Sequence, residues 1–340
     1  MFILDFSRLA GRGAAQVAIR SLGMTCRRGP STSFALCMSL LQPATSLVAP
    51  CRPSPAGVSQ ITEPAALMAA SRVASVPLTL PPSVAAGPVQ SSFISTGVAA
   101  QSGAPPVVML HSFDSSCLEW RRVLPLLEAA GVEAYALDIL GWGFTETDNV
   151  QVVSVETKRA HLHAFLQQHL GGRPTMLVGS SLGAATIIDF ASAHPELVDC
   201  MLLCDPQALI EGTPPVPAFA ARGGVRLLRS WPLRALGQKL AYEDTARCDT
   251  EDAIRVGRVH CERSGWEDDA VDWLLGGGYA VAKLLPELRS TRCMVLWGRQ
   301  DRVLPPAENV PQFLQAVPSA EFRWVEACGH VSHILTLAIA

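Results

Sequence analysis

Short continuous apolar runs alternate with amphipathic stretches from about residue 106 onward. PVVMLH (106–111) reads as a buried strand, and LEWRRVLPLLEAAG (118–131) as a helix ended by Gly131. VEAYALDI (132–139) predicts a second strand and VETKRAHLHAFLQQHLGG (155–172) a second helix. TMLVG (175–179), the helical segment up to Pro195, and VDCMLLCD (198–205) continue the alternation. It lapses over 206–286, where helical segments follow one another, and resumes with RCMVLWG (292–298), AENVPQFLQAV (307–317) and EFRWVEA (321–327). Strands that are apolar throughout and joined by helices belong to a mostly parallel sheet covered on both faces. The expected class is α/β, with 206–286 as a helical lid inserted over one end of the sheet.

Ahead of this body, 71–104 is rich in Pro, Ala, Ser and Gly and reads as a linker, so the folded domain is expected over 105–340. SSFISTGV (91–98) is a faint strand signal, and the sheet is expected to start at the strand before His111. Residues 1–70 read as a transit peptide or disordered segment: the first 60 hold six arginines, no lysine and Asp5 as their one acid. That composition points to organelle import.

The whole chain carries a formal charge of -3, so the remainder is acidic and gives no electrostatic reason to expect nucleic acid. No run of about 20 mostly apolar residues exists, so no transmembrane segment is expected. The ten cysteines form no CxxC pair. They read as small buried thiols, with no metal site and no disulfide.

GSSLG (179–183) interrupts the passage from strand to helix and matches G-x-S-x-G in the context that the motif requires. Ser181, at the centre, is the candidate nucleophile; Gly179 and Gly183 leave room for strand and helix to cross closely. Ser180 is expected to point away as filler. A serine needs a base and the base an orienting acid. His330, just beyond the last strand, and Asp301, in the loop after 292–298, supply them in the order Ser, acid, His. Asp205, which also ends a strand on that edge, is the rival acid. The amide of Leu182, directly after the nucleophile, is one candidate oxyanion donor.

On these motifs, 106–333 resembles a serine α/β-hydrolase, with DILGWGF (138–144), WGRQD (297–301) and CGHVSH (328–333) resembling the family's turn, acid loop and histidine loop. The stretch 111–147 closely resembles plant and algal chloroplast α/β-hydrolase-domain proteins. The resemblance implies the α/β-hydrolase fold, the Phe113 amide as second oxyanion donor and no cofactor. It also implies placement in the chloroplast, most simply the stroma. In many relatives His111 would be followed by glycine, where Ser112 stands here. Family members include esterases, lipases, thioesterases, C–C hydrolases and acyltransferases, so a small-molecule or lipid-like substrate is implied. The expected activity is cleavage of an ester or thioester of an apolar acyl group; a ligand-binding protein with little turnover and an acyltransferase are the alternatives. The family's terminal helix is expected to be missing, because ten residues follow His330. Within the lid, VRLLRSWPLRALGQKLAY (225–242) interleaves cations with Leu and Trp. It reads as a cap helix with its apolar face on the pocket, or else as a peripheral membrane contact.

Overall fold

The computed structural model describes residues 57–99, 103–212, 215–243 and 250–331. Among them, eight strands form one sheet: β1 (Ala74–Leu78), β2 (Val89–Ser95), β3 (Val107–Leu110), β4 (Ala134–Leu137), β5 (Thr175–Ser180), β6 (Val198–Cys204), β7 (Arg292–Gly298) and β8 (Glu321–Val325). Their order is β1-β2-β4-β3-β5-β6-β7-β8. The β1–β2 and β2–β4 pairs are antiparallel and the remaining pairs parallel. Successive residues of the central strands feed opposite cores. Leu177, Met201 and Leu203 join Ile187 and Phe190 on one face, whereas Met176, Val178, Cys200 and Cys204 join Trp120 on the other. Burial on both faces is why these strands read as unbroken apolar runs.

The start of the domain corrects the expected boundaries. Helix α1 (Pro64–Ser71) buries Ala66, Ala69 and Ala70, and β1 and β2 occupy the stretch expected to be a linker. The domain therefore includes 57–99, and the expectation for 1–56 lies outside the described residues. β1 lies at the sheet edge, where the missing amide of Pro77 leaves a ladder position unused at little cost. β2 hides two serines that long-range contacts hold in place: Ser91 Oγ lies 2.8 Å from His161 Nε2, and the Ser92 amide donates to Thr145 Oγ1 at 3.0 Å.

The helix expected over 118–131 is divided into a 3-10 turn (Cys117–Trp120) and α2 (Leu124–Ala129), with Pro125 in the first turn of α2. Proline lacks the amide that a continuous helix would need there. Helix α3 (Val155–Ala164) starts with a capping box in which Ser154 and Thr157 exchange hydrogen bonds, and it runs on into a π turn. Helix α4 (Leu182–Ala193) follows β5 directly.

Between β6 and β7 the helical lid is present as α5 (Ala218–Leu228), α6 (Trp231–Ala241), α7 (Thr250–Val259) and α8 (Trp266–Leu275). The cap-helix expectation for 225–242 fits Val225 of α5, which is buried in the main core, and is corrected for α6. α6 has no fully buried residue, and Leu236 and Leu240 are 51% and 42% exposed. Helix α5 and α6 lean on α8 and α7 respectively, which leaves their outer apolar residues in water. α9 (Pro306–Ala316) joins β7 to β8. The expectation of a missing terminal helix concerns 332–340, outside the described residues.

Candidate active site

The sharp passage from β5 into α4 places Ser181 at φ 51°, ψ -111°, a backbone region that L-residues rarely enter. The crossing that forces this geometry explains both glycines. A Cβ on Gly179 would lie 2.6 Å from the Ala184 nitrogen, and one on Gly183 would lie 2.4 Å from the Leu110 carbonyl oxygen. The second contact also shows that the end of β3, and with it the loop carrying Ser112 and Phe113, presses on the start of α4. Leu182 opens that helix, where the first amides have no acceptor within the helix and the dipole favours a developing negative charge.

Asp301, in the turn after β7, is buried, and its Oδ1 accepts from the Val303 and Leu304 amides at 2.8 and 2.9 Å. These bonds aim Oδ2 at His330 Nδ1, 2.8 Å away. An ionised carboxylate only accepts, so Nδ1 carries the proton and the Nε2 lone pair is left for a substrate or nucleophile proton. The rival Asp205 has another task, since its Oδ1 accepts from the Gly298 amide at 2.7 Å. Burial alone would push His330 down, but Asp301, Asp205 and Glu119 together raise it above its usual value. The structure thus brings Asp301 and His330 into contact and sets Ser181 on the same edge of the sheet, beyond the strand ends.

Ser180 is not filler. Its Oγ lies 3.1 Å from Ser112 Oγ, which itself lies 2.8 Å from Glu119 Oε1. The Ser112 amide also donates to Glu119, at 3.0 Å to Oε2. The Ser112 hydroxyl thereby ties its loop to the elbow. Glu119 gave no motif signal, because its partners lie in another turn of the chain.

Phe113, expected as the second oxyanion position, is 38% exposed and stacks edge-on against Trp142 at 5.4 Å. Trp142 in turn meets Trp273 of α8 at 5.3 Å, and buried Lys158 sits over the Trp142 ring at 3.7 Å. Burial holds the Lys158 amine well below its usual value. The DILGWGF turn is pinned by Asp138, which accepts from the Cys117 and Phe144 amides at 2.6 and 2.8 Å. Asp138 is pushed up to about 7 by burial, against those amide bonds.

Asp114, next to Phe113 and at φ 47°, also lacked a sequence signal. Its Oδ1 accepts from His260 Nε2 and Trp266 Nε1, each at 2.9 Å, and its Oδ2 accepts from Arg234. Burial opposes ionisation, but these donors hold Asp114 down at about 2. Asp114, His260 and Cys261 bring potential metal-ligand atoms within 4.8 Å of one another. The Arg234 guanidinium already serves as the cation there, with Nη2 also 3.1 Å from Cys261 Sγ.

The family described as "Alpha/beta hydrolase family" matches residues 107–336. The chain belongs to the alpha/beta hydrolase family. It is 37% identical over 283 residues to the alpha/beta hydrolase domain-containing protein VTE7 of Arabidopsis thaliana, covering 82% of this chain and 84% of that protein. It is 25% identical over 264 residues to a 2-hydroxy-6-oxo-6-(2'-aminophenyl)hexa-2,4-dienoic acid hydrolase of Metapseudomonas resinovorans, covering 73% and 83%. Among solved structures, a thermophilic esterase from Thermogutta terrifontis superposes with a TM-score of 0.62 at 22% identity, over 78% of this chain and 96% of that one. That last likeness concerns the fold.

Proposed function

We propose that this protein is a serine hydrolase that cleaves an ester or thioester of an apolar, lipid-like acyl group through an acyl-enzyme. The observation that carries the reading is the His330–Asp301 hydrogen bond on the sheet edge where Ser181 holds its strained turn. Ser181 Oγ attacks the acyl carbonyl carbon while His330 Nε2 takes the hydroxyl proton, and the carbonyl electron pair moves onto oxygen. The Leu182 and Phe113 amides face that oxyanion. Collapse breaks the C–O or C–S bond, and the imidazolium hands its proton to the departing alcohol or thiol. Water then repeats the sequence to release the acid.

The apolar acyl preference is supported by the exposed ring of Phe113, which rests on the buried Trp142. The kinship to a plant protein and the arginine-rich leader support placement in the chloroplast, which a fluorescent fusion of the full chain tests. The test of the chemistry is a fluorophosphonate probe followed by mass spectrometry. An adduct on Ser181, abolished by Ser181→Ala, is expected. Labelling that survives this substitution refutes the assignment, and an adduct with no turnover of any acyl ester favours a ligand-binding protein.

A further inference from the structure

Half of the large apolar side chains exposed among the described residues lie between Ile210 and Leu240. On α5, Phe219 and Leu227 are 82% and 58% exposed; on α6, Trp231, Leu236 and Leu240 are 38%, 51% and 42% exposed. So dense a cluster of apolar surface on one layer marks an interaction face rather than scattered surface residues. We infer that the outer face of α5 and α6 docks on a lipid bilayer rich in anionic headgroups.

Charge selects this occupant. From Pro215 to Ala241 there is no Asp or Glu, while Arg222, Arg226, Arg229, Arg234 and Lys239 are all cationic. Arg222 and Arg226 are answered by Glu267 and Asp268, and Arg234 by Asp114. Arg229 and Lys239 are exposed beside the apolar residues, on a chain whose net charge is -3. An apolar helical face flanked by cations, with a tryptophan among them, is the composition that lies in the interface of an anionic membrane. The other occupants fit poorly. Residues 1–56 carry six arginines against Asp5, and a second copy would set one basic face against another. The face also adjoins the candidate active site, because Arg234 of α6 reaches the residue after Phe113.

The test is flotation of the full-length chain with vesicles of phosphatidylcholine alone and with vesicles in which about a third of the lipid is phosphatidylglycerol. This reads binding without turnover, so its outcome is independent of the proposed chemistry. The protein is expected to float with the anionic vesicles and to be released by salt. Arg229→Gln or Lys239→Gln should each weaken association about fivefold, and Phe219→Asp with Leu227→Asp about tenfold or more. Met68→Asp, at another exposed apolar site, should change nothing. A photo-crosslinking phenylalanine placed at Leu236 in the otherwise unaltered chain should capture lipid. Capture of residues 1–56 or of a second copy, equal flotation with both vesicle types, or no flotation at all would overturn the inference.

Discussion

Arg234, in the second lid helix, donates from Nη1 to the Asp114 carbonyl oxygen at 3.1 Å and from Nη2 to the Asp114 carboxylate. The side chains are 15% and 3% exposed, so the lid and the loop preceding the elbow share an ion pair that water hardly screens. His260 and Trp266, also from the lid, complete the carboxylate's partners. A non-glycine residue at φ 47° persists only where its surroundings over-determine it, and here three lid donors do so. The residue that follows Phe113 is thereby held from the lid.

Removing one member of such a pair strands the other. Arg234→Met is expected to destabilise the fold by about 3–5 kcal/mol, because the Asp114 carboxylate stays buried without its cation. Adding Asp114→Asn should recover part of that loss, since the amide carries no charge to strand. In turnover, the Arg234→Met defect should fall on kcat more than on KM, as expected when an oxyanion donor is displaced. Urea unfolding and steady-state kinetics on a soluble acyl ester check both. Additive stability effects with kcat unchanged would show that the pair only decorates the lid.

Ser180 and Ser181 should separate cleanly. The one hydroxyl proton of Ser112 goes to the Glu119 carboxylate, so the Ser180 hydroxyl supplies the proton for the 3.1 Å bond between the serines. Ser180→Ala removes a neutral hydrogen bond worth about 0.5–1.5 kcal/mol and should slow turnover by roughly three- to tenfold with fluorophosphonate labelling retained. Ser181→Ala should abolish labelling. A Ser180→Ala enzyme with full activity would show that the strut between elbow and loop is dispensable.

What was legible in the sequence was local. The elbow, the acid turn and the histidine loop each announce themselves within a few residues of a strand end, so Ser181, Asp301 and His330 stood out as candidates from pattern alone. β1 did not, and β2 did so only faintly. Pro77 and the paired serines 91 and 92 look like linker until the edge position and the distant His161 and Thr145 are known. Asp114 was silent for the same reason, since its partners stand at 234, 260 and 266. The direction of the apolar side of α6 was not legible, because helical periodicity marks such a side without saying which way it turns.

The acid assignment yields a contrast in rate. Asp301→Asn removes the acceptor that fixes the His330 tautomer and is expected to slow turnover by about 10⁴-fold. Asp205→Asn should cost far less, because Asp205 holds the Gly298 amide and reaches His330 through its charge. Melting curves for both variants separate loss of chemistry from loss of fold. Comparable rate losses in two folded variants would mean that both carboxylates orient the base.

The pH profile tests the electrostatics of the base itself. Burial favours neutral His330, whereas the hydrogen bond and charge of Asp301, with Asp205 and Glu119, favour the imidazolium and leave its pKa above the usual 6.5. Only the neutral imidazole accepts the Ser181 proton, so kcat/KM should rise with pH along a limb centred above 6.5. Stability runs the other way. A histidine whose pKa is raised on folding lends stability that is complete below its unfolded value and is lost as pH rises through the folded one. Glu119→Gln removes one of the charges that favour the imidazolium, so it should move the kinetic limb toward lower pH and shrink the stability gained on acidification. Rates and melting temperatures measured across the same pH range supply both readings. A limb that stays in place or moves upward in Glu119→Gln would show that Glu119 serves the Ser112 loop alone and leaves the base untouched.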